Sequence, residues 1–556
     1  EMLLEDLKNE ISQGLQDAAE RAKGDGKLFF EELPPFTLEK PREKTHGDLA
    51  TNIALVLARP AKAAPRKISE IILEYFPAEK KRVTRCEVAG PGFINLFLDP
   101  SWVYDVLPEV EEQGDRYGCS SFGQGEKVQV EFVSANPTGL LHMGNARGAA
   151  LGDTLANVMD AAGYEVTREF YINDAGRQIE NFGYSLEARY LQLLGEDVDL
   201  PENGYPGEDL IDSMRGLISQ VGDKYLHVDS KLRREILVKS ALQEKLEQME
   251  EDLANFRVHY DVWFSEQTLH DTGAIEGVLK ELQKRNDLYE KEGALWFCST
   301  RYGDEKDEVL VRSNGIPTYF AADIAYHKNK FLRGFDRVIN IWGADHHGHI
   351  LRLKGALEAL DYDPDRLQVI IMQLVRLFRG GEPVRMSKRS GEYVTLRELL
   401  EDVGTDAARY FFVDRSADSH LDFDLDLARQ QSSENPVYYV QYAHARICSI
   451  LRQAGEIPQS REIDCSVLCD PSERALLEGI AELPGEICYA AANQEPHRLT
   501  HYVYDLANLF HGFYTTCHVL NAEPGLREAR LVLVNACGIA LRNTLKIIGV
   551  SAPERM

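Results

Sequence analysis

Between Lys127 and Ile172 the chain spells out one unit that leaves little choice of fold. Val128, Val130 and Phe132 alternate with Gln129 and Glu131, the two-residue period of a β-strand. A turn follows, Asn136-Pro137-Thr138-Gly139-Leu140-Leu141-His142-Met143-Gly144-Asn145. Leu151, Leu155, Val158, Met159 and Ala162 then recur at helical spacing, Gly163 ends the helix, and Val166 to Tyr171 reads as a second strand. Strand, helix and strand in that order form a βαβ unit, which demands a parallel sheet with right-handed crossovers. The pattern resumes with strands at Val338–Trp342 and Val369–Met372 and a helix after His349.

The turn is also where chemistry is expected, because open α/β sheets bind ligands beyond the carboxyl ends of their strands. A helix starting there offers free backbone N–H groups and a positive dipole end to an anion. Gly144 removes a side chain where a nucleotide must approach the backbone, and His142 can donate to phosphate oxygens. A second basic element stands far along the chain, Arg385-Met386-Ser387-Lys388-Arg389-Ser390-Gly391, after Gly380-Gly381. A lysine on such a loop can neutralise charge that develops on a phosphate in a transition state.

The chain has 556 residues, too many for one core, so about two to four domains are expected. Residues 1 to about 105 read as an α+β domain, with the strand Phe93–Leu98 after Gly90-Pro91-Gly92. The α/β domain spans about 106–430 and holds a charged helical insertion at about 195–290. From about 431 to 556 the texture is an all-helical bundle, in which Val437, Val440, Ile447 and Leu451 mark one helix face and three more helical stretches follow. No run is long enough to cross a bilayer. The nine cysteines are scattered without a CxxC pair, which suits free thiols in a reducing cytoplasm. A net charge of −28 argues against indiscriminate nucleic-acid binding, yet local basic groups exist. One comprises Arg59, Lys62, Arg66, Lys67, Lys80, Lys81, Arg82 and Arg85; the other comprises Arg376, Arg379, Arg385, Lys388 and Arg389.

His142-Met143-Gly144-Asn145 resembles the HIGH signature of the class I aminoacyl-tRNA synthetases, and Arg385 to Ser390 resembles their KMSKS signature. Both depart from the pattern, with Asn145 in place of the second histidine, Arg385 in place of the first lysine and Arg389 in place of the final serine. Val130–Gly139, Tyr171–Ile179, Tyr319–Ile324 and Trp342–Gly348 are similar to the bacterial arginyl-tRNA synthetases. Thr45–Ala50 and Gly90–Asn95 resemble the extra N-terminal domain of that family, and Asn435–Ala443 the start of its anticodon-binding bundle.

The resemblance implies a Rossmann-like catalytic domain that activates arginine with ATP, magnesium arriving with the nucleotide, and then charges tRNA(Arg). It implies His142, Asn145 and Lys388 as catalytic residues, and ATP contacts from Gly144, His142, Asn145, Asp345, His346, Met386, Ser387 and Lys388. Glu131, Tyr319 and Asp323 are implied to line the arginine side-chain pocket, with Asn136 at its α-amino and carboxylate end. A guanidinium is a planar cation with five donors, so carboxylates placed for bidentate pairing suit it. Lysine cannot satisfy such a fork, so no proofreading domain is required. Tyr438, Tyr442 and Arg446 are candidates for stacking on anticodon bases and meeting phosphates, as are Tyr439 and His444. The family implies a cytoplasmic monomer with no membrane contact that often needs bound tRNA before it activates arginine. Asp345-His346-His347-Gly348-His349 has a spacing that metals use, but too few ligands nearby, so no metal is assigned. Two other readings stand beside this one. A different class I synthetase, the cysteine one above all, would carry a zinc–cysteine ligand set that this sequence lacks. An RNA-binding relative without catalysis is opposed by Lys388 together with Glu131 and Asp323.

Overall fold

The structure, a computed structural model, describes residues 3–41, 43–78, 82–384 and 394–556. Its first helix, Leu3–Gly24, buries Leu7, Ile11, Leu15, Ala18 and Ala22, an apolar stripe at steps of three and four. That stripe packs on the helix Pro65–Tyr75 beside a four-stranded antiparallel sheet. The strands are β1 (Leu38–Glu39), β2 (Leu49–Thr51), β3 (Val83–Ala89) and β4 (Phe93–Leu98), in the order β1-β2-β4-β3.

The central sheet is wholly parallel and five-stranded. It comprises β5 (Lys127–Glu131), β6 (Glu165–Ile172), β7 (Val262–Ser265), β11 (Arg337–Gly343) and β12 (Leu367–Met372), in the order β12-β11-β5-β6-β7. Strand order reverses at β5: the chain proceeds outward on one side through β6 and β7, then crosses to β11 and β12 on the other. The cleft beyond the carboxyl ends of β5 and β11 is thus a topological switch point. The helix Met143–Ala161 follows β5 and is buried along nearly its whole length. Gly152 allows that contact, since a Cβ there would stand 2.1 Å from Phe132 Cγ.

The charged stretch at 195–290 is less uniformly helical than its composition suggests. Its helices Glu208–Val221 and Ser230–Asn255 pack with the helix Gly176–Leu193. The following residues, however, supply β7 to the central sheet. Four residues of strand are too short to register against a long charged helix when the sequence is read by periodicity. A small antiparallel sheet then forms from β8 (Leu288–Lys291), β9 (Ala294–Phe297) and β10 (Glu308–Val311). It leads into the helix Tyr319–Leu332. Past β12, a third small sheet in the order β14-β13-β15 contains β13 (Val375–Arg379), β14 (Glu382–Val384) and β15 (Leu421–Asp424).

From Pro436 the chain is helical. Asn435 accepts a hydrogen bond from the Val437 N–H and caps the helix Pro436–Ala454, whose Val437, Val440 and Ile447 are buried. Four helices follow rather than the three expected: Pro471–Ala481, Leu483–Asn493, His497–Thr516 and Leu526–Ile547. The division falls at Pro484, which has no N–H to continue the ladder from Ile480.

Candidate active site

The loop leaving β5 carries two successive residues in the left-handed region, Val133 at φ 70° and Ser134 at φ 42°. A β-branched residue is rarely held there and needs surrounding bonds to keep it. Ser134 provides them: its Oγ donates to Glu131 Oε1 at 2.9 Å and accepts from the Tyr171 N–H at 3.1 Å. The loop is therefore strapped to β6 before it reaches Asn136, which is exposed.

His142 is the N-cap of the helix Met143–Ala161. Its Nδ1 accepts from the Gly144 N–H at 3.1 Å, and Asn145 Oδ1 accepts from the His142 N–H at 3.0 Å. Asn145 thus completes a reciprocal cap, a role that a histidine at that position would fill with different geometry. Because Nδ1 accepts from a backbone N–H, the neutral ring carries its proton on Nε2, and partial burial favours that neutral form. The segment after the second signature is stitched onto this turn. Met143 N–H donates to Val394 O at 3.1 Å, Leu396 N–H donates to Leu141 O at 2.8 Å, and His142 pairs antiparallel with Thr395. Arg385, Met386, Ser387, Lys388 and Arg389 lie outside the described residues.

On the helix Tyr319–Leu332, Tyr319 is 45% exposed at the cleft, and Asp323 one turn on accepts from His349 Nε2 at 2.9 Å. A carboxylate that the sequence reading missed stands beside them. Glu266, one residue past β7, is buried, and burial raises its pKa. Asp323 pushes the same way, against the Tyr171 hydroxyl and His270, whose Nε2 is 3.6 Å from Glu266 Oε1. The Tyr171 hydroxyl is raised by burial and by Glu266, Asp323 and Glu131. Glu266, Asp323 and Glu131 therefore all act electrostatically on the Tyr171 hydroxyl. Glu266 could have been found only by assigning β7, since it sits where a strand's carboxyl end meets the ligand side.

Glu131 differs from expectation. Ser134 holds Oε1, and Lys330 Nζ donates to Oε2 at 2.5 Å, both Glu131 and Lys330 being buried. A guanidinium meeting this carboxylate would share it with an ammonium already in place. Asp345 and His346 are exposed beyond β11, 3.6 Å apart, while Trp342 packs its ring 5.8 Å from His349 and 5.9 Å from His346. Among the described residues, no group of three or more His, Cys, Asp or Glu could hold a metal ion.

Far from this cleft, Tyr438 stacks on Tyr442 with ring centroids 6.0 Å apart, and Arg446 Nη2 donates to the Tyr442 hydroxyl at 2.6 Å. The Arg446 guanidinium also lies 4.6 Å over the Tyr514 ring. Tyr442, Arg446, Tyr514 and His518 border a cavity of about 690 Å³. His444 is instead buried and bonded to the Pro553 carbonyl at 3.0 Å. The basic groups are partly spent on internal pairs: Arg82 with Asp105, Arg376 with Asp422 and Arg379 with Asp402. Lys80 and Lys81 lie outside the described residues. No helix among the described residues is long and apolar enough to cross a membrane.

Three family models match in succession. The arginyl tRNA synthetase N terminal domain covers residues 5–98. The tRNA synthetases class I (R), catalytic domain, covers 107–199 and 220–436, and the DALR anticodon binding domain covers 440–556. The chain is 61% identical to the arginine--tRNA ligase of Moorella thermoacetica over 558 aligned residues, 100% of each chain. It is likewise 61% identical to that of Desulfitobacterium hafniense, over 99% of each. The fold matches Thermus thermophilus arginyl-tRNA synthetase with a TM-score of 0.77 at 23% identity, over 98% of this chain and 100% of that one. These full-length matches agree with the capped turn and the acidic cleft at the switch point: the chain belongs to the arginyl-tRNA synthetase family of class I.

Proposed function

We infer that the protein activates L-arginine with ATP and transfers the arginyl group to the 3′ end of tRNA(Arg). What supports this reading is that Asp323, bonded to His349 beyond β11, Glu266 just past β7, and the capped helix N-terminus at His142 after β5 all stand at the carboxyl-end side of the parallel sheet. One end of the cleft suits a cation with several donors, and the other suits a phosphate. Asp323, Glu266 and Tyr319 receive the guanidinium. Asn136 and the Glu131–Ser134 corner face the α-amino end.

ATP enters as its magnesium complex, held through its phosphates rather than by a protein cage. The arginine carboxylate oxygen attacks the α-phosphorus, a P–O bond to the β-phosphate breaks, and pyrophosphate leaves with the displaced electron pair. The product is the mixed anhydride arginyl-adenylate. The 2′-hydroxyl of the terminal tRNA ribose then attacks the arginyl carbonyl, loses its proton, and releases AMP. No side-chain nucleophile is required; positioning and stabilisation of phosphate charge carry the catalysis. His142 Nε2–H, Asn145 Nδ2 and Lys388 are the donors for that charge. Gly144 lets the nucleotide lie close to the backbone, and Asp345, His346, Met386 and Ser387 complete the ATP site.

The N-terminal domain meets the tRNA corner, and the bundle meets the anticodon through Tyr438, Tyr442 and Arg446, which offer stacked faces and one guanidinium beside a cavity. The working unit is one chain, acting in the cytoplasm. The test is pyrophosphate exchange against a panel of all the amino acids, with and without tRNA(Arg). Exchange with arginine alone is expected, and its dependence on tRNA reports coupling between the two ends of the molecule. Exchange with another amino acid, or none with arginine in folded protein, rejects the assignment.

A further inference from the structure

The helix Tyr319–Leu332 carries Tyr319 and Asp323 at its open end. Lys330, two turns beyond Asp323 and on the same face, is fully buried. Its Nζ donates to Glu131 Oε2 at 2.5 Å and Asn340 Oδ1 at 2.9 Å, and lies 4.4 Å over the Tyr326 ring. Asn340, Glu131 and Glu169 are register partners across β11, β5 and β6, so a single rung of the sheet presents an amide and two carboxylates. Arg333 holds Glu169 through two bonds of 2.6 and 2.8 Å, and the Tyr326 hydroxyl adds a third at 2.6 Å. Glu131 Oε2 is left to Lys330, Oε1 being held by Ser134.

The rung is tied back to the open end of the same helix. Asn340 Nδ2 donates to His327 Nε2 at 2.7 Å, and His327 Nδ1 donates to the Asp323 backbone carbonyl at 2.8 Å. Hydrogen bonds therefore run without a break from Asp323 through His327, Asn340, Lys330 and Glu131 to Ser134 on the loop after β5. A buried ion pair contributes little net stability over apolar packing of the same volume. It does impose geometry. Apolar packing alone tolerates small axial sliding of a helix over a sheet, whereas an ammonium shared by two residues of one rung fixes one axial position. Tyr319 and Asp323 ride on that helix, while Asn136 and Glu131 belong to β5 and its loop. The position of Lys330 thus sets the distance between the two ends of the cleft.

We propose that Lys330 is a positioning residue for amino-acid specificity, bonded to Glu131 and Asn340 so as to hold Asp323 at the one distance that accepts arginine over guanidino acids a methylene longer or shorter. This rests on the reading of Asp323 and Tyr319 as the guanidinium end of the pocket. Lys330 is fully buried and spends its ammonium on Glu131 and Asn340, so its role is to position rather than to meet substrate.

The experiment measures tRNA-supported pyrophosphate exchange of the full chain with arginine, homoarginine and 2-amino-4-guanidinobutyrate, together with the KM for ATP. Wild type is compared with Lys330→Met, Asn340→Ser and Asp323→Asn. One methylene is ordinarily worth about 10- to 200-fold in kcat/KM. In Lys330→Met the preference for arginine over both analogues is expected to fall by about tenfold, with the KM for ATP within about twofold of wild type. Asn340→Ser, which spares the ion pair, should shift the same ratio less and in the same direction; it decides the matter alone if Lys330→Met does not fold. An unchanged ratio in folded variants, whether or not their thermal stability falls, overturns the proposal and leaves Lys330 a packing residue. Failure of Asp323→Asn to raise the KM for arginine would instead remove the pocket reading beneath it.

Discussion

Arg409 Nη2 lies 2.6 Å from Asp153 Oδ2, both side chains buried, and joins three parts of the chain at one point. Asp153 belongs to the helix Met143–Ala161 that His142 caps. Arg409 Nε also donates to Ile548 O at the end of the last bundle helix, and Nη1 donates to Phe256 O and Arg257 O after the long inserted helix. Removing one partner strands the other charge in the interior. Arg409→Leu should therefore cost about 3–5 kcal/mol in urea unfolding. Gly549 sits at φ 72° with a would-be Cβ only 2.1 Å from Arg409 Nε, so Gly549→Ala should cost roughly 1–3 kcal/mol at the same junction.

Substitutions in the acidic cluster should separate the two substrates. Asp323→Asn keeps shape but loses the charge proposed above to pair with a guanidinium. The KM for arginine is expected to rise by about 10²-fold with the KM for ATP unchanged. Glu266→Gln should act in the same sense. Steady-state kinetics with each substrate varied in turn provides the check, and a matched rise in the KM for ATP would count against the pocket.

The reciprocal cap predicts a different signature. Asn145→Ala removes the acceptor for the His142 N–H, loosening the ring proposed above to meet phosphate. Stability should fall by about 1 kcal/mol and kcat more than the KM for arginine. Thermal unfolding and single-turnover adenylate formation measure the two effects separately.

Acid should act through His327. Burial, then the Lys330 charge, holds its ring well below the ordinary imidazole value, against the bond to the Asp323 carbonyl and with His349 also nearby. A folded value below the unfolded one means that the neutral ring favours folding above pH about 6.5. That contribution is lost as pH falls from there through the folded value. Melting temperatures between pH 7 and 5 should decline in wild type and decline less in His327→Gln. Carboxylates with lowered values, such as Glu169, add their loss only at lower pH.

The bundle should answer to tRNA alone. Tyr442→Ala removes the ring between Tyr438 and Arg446, and the KM for tRNA is expected to rise about tenfold. With tRNA saturating, the KM for arginine should stay within about twofold of wild type.

Periodicity and local signatures determined much of this protein before any contact was known. The βαβ unit around Val128–Tyr171, the helix start at His142 and the capped helix after Asn435 each depend on residues close together in the chain, so spacing alone places them. The same locality put Tyr319 and Asp323 on one helix face. What lay outside the sequence reading is long-range. Only the parallel register brings Asn340, Glu131 and Glu169 into one rung, and only then is it apparent that Lys330 occupies the carboxylate that local reasoning reserved for substrate. Glu266 stands at the carboxyl end of the sheet because four residues, Val262–Ser265, add an outer strand to a sheet begun more than a hundred residues earlier. Local sequence carries the periods that form strands and helices. Which charges meet in the interior is decided by strand order and register, where the cost of an unpaired buried charge selects the partner.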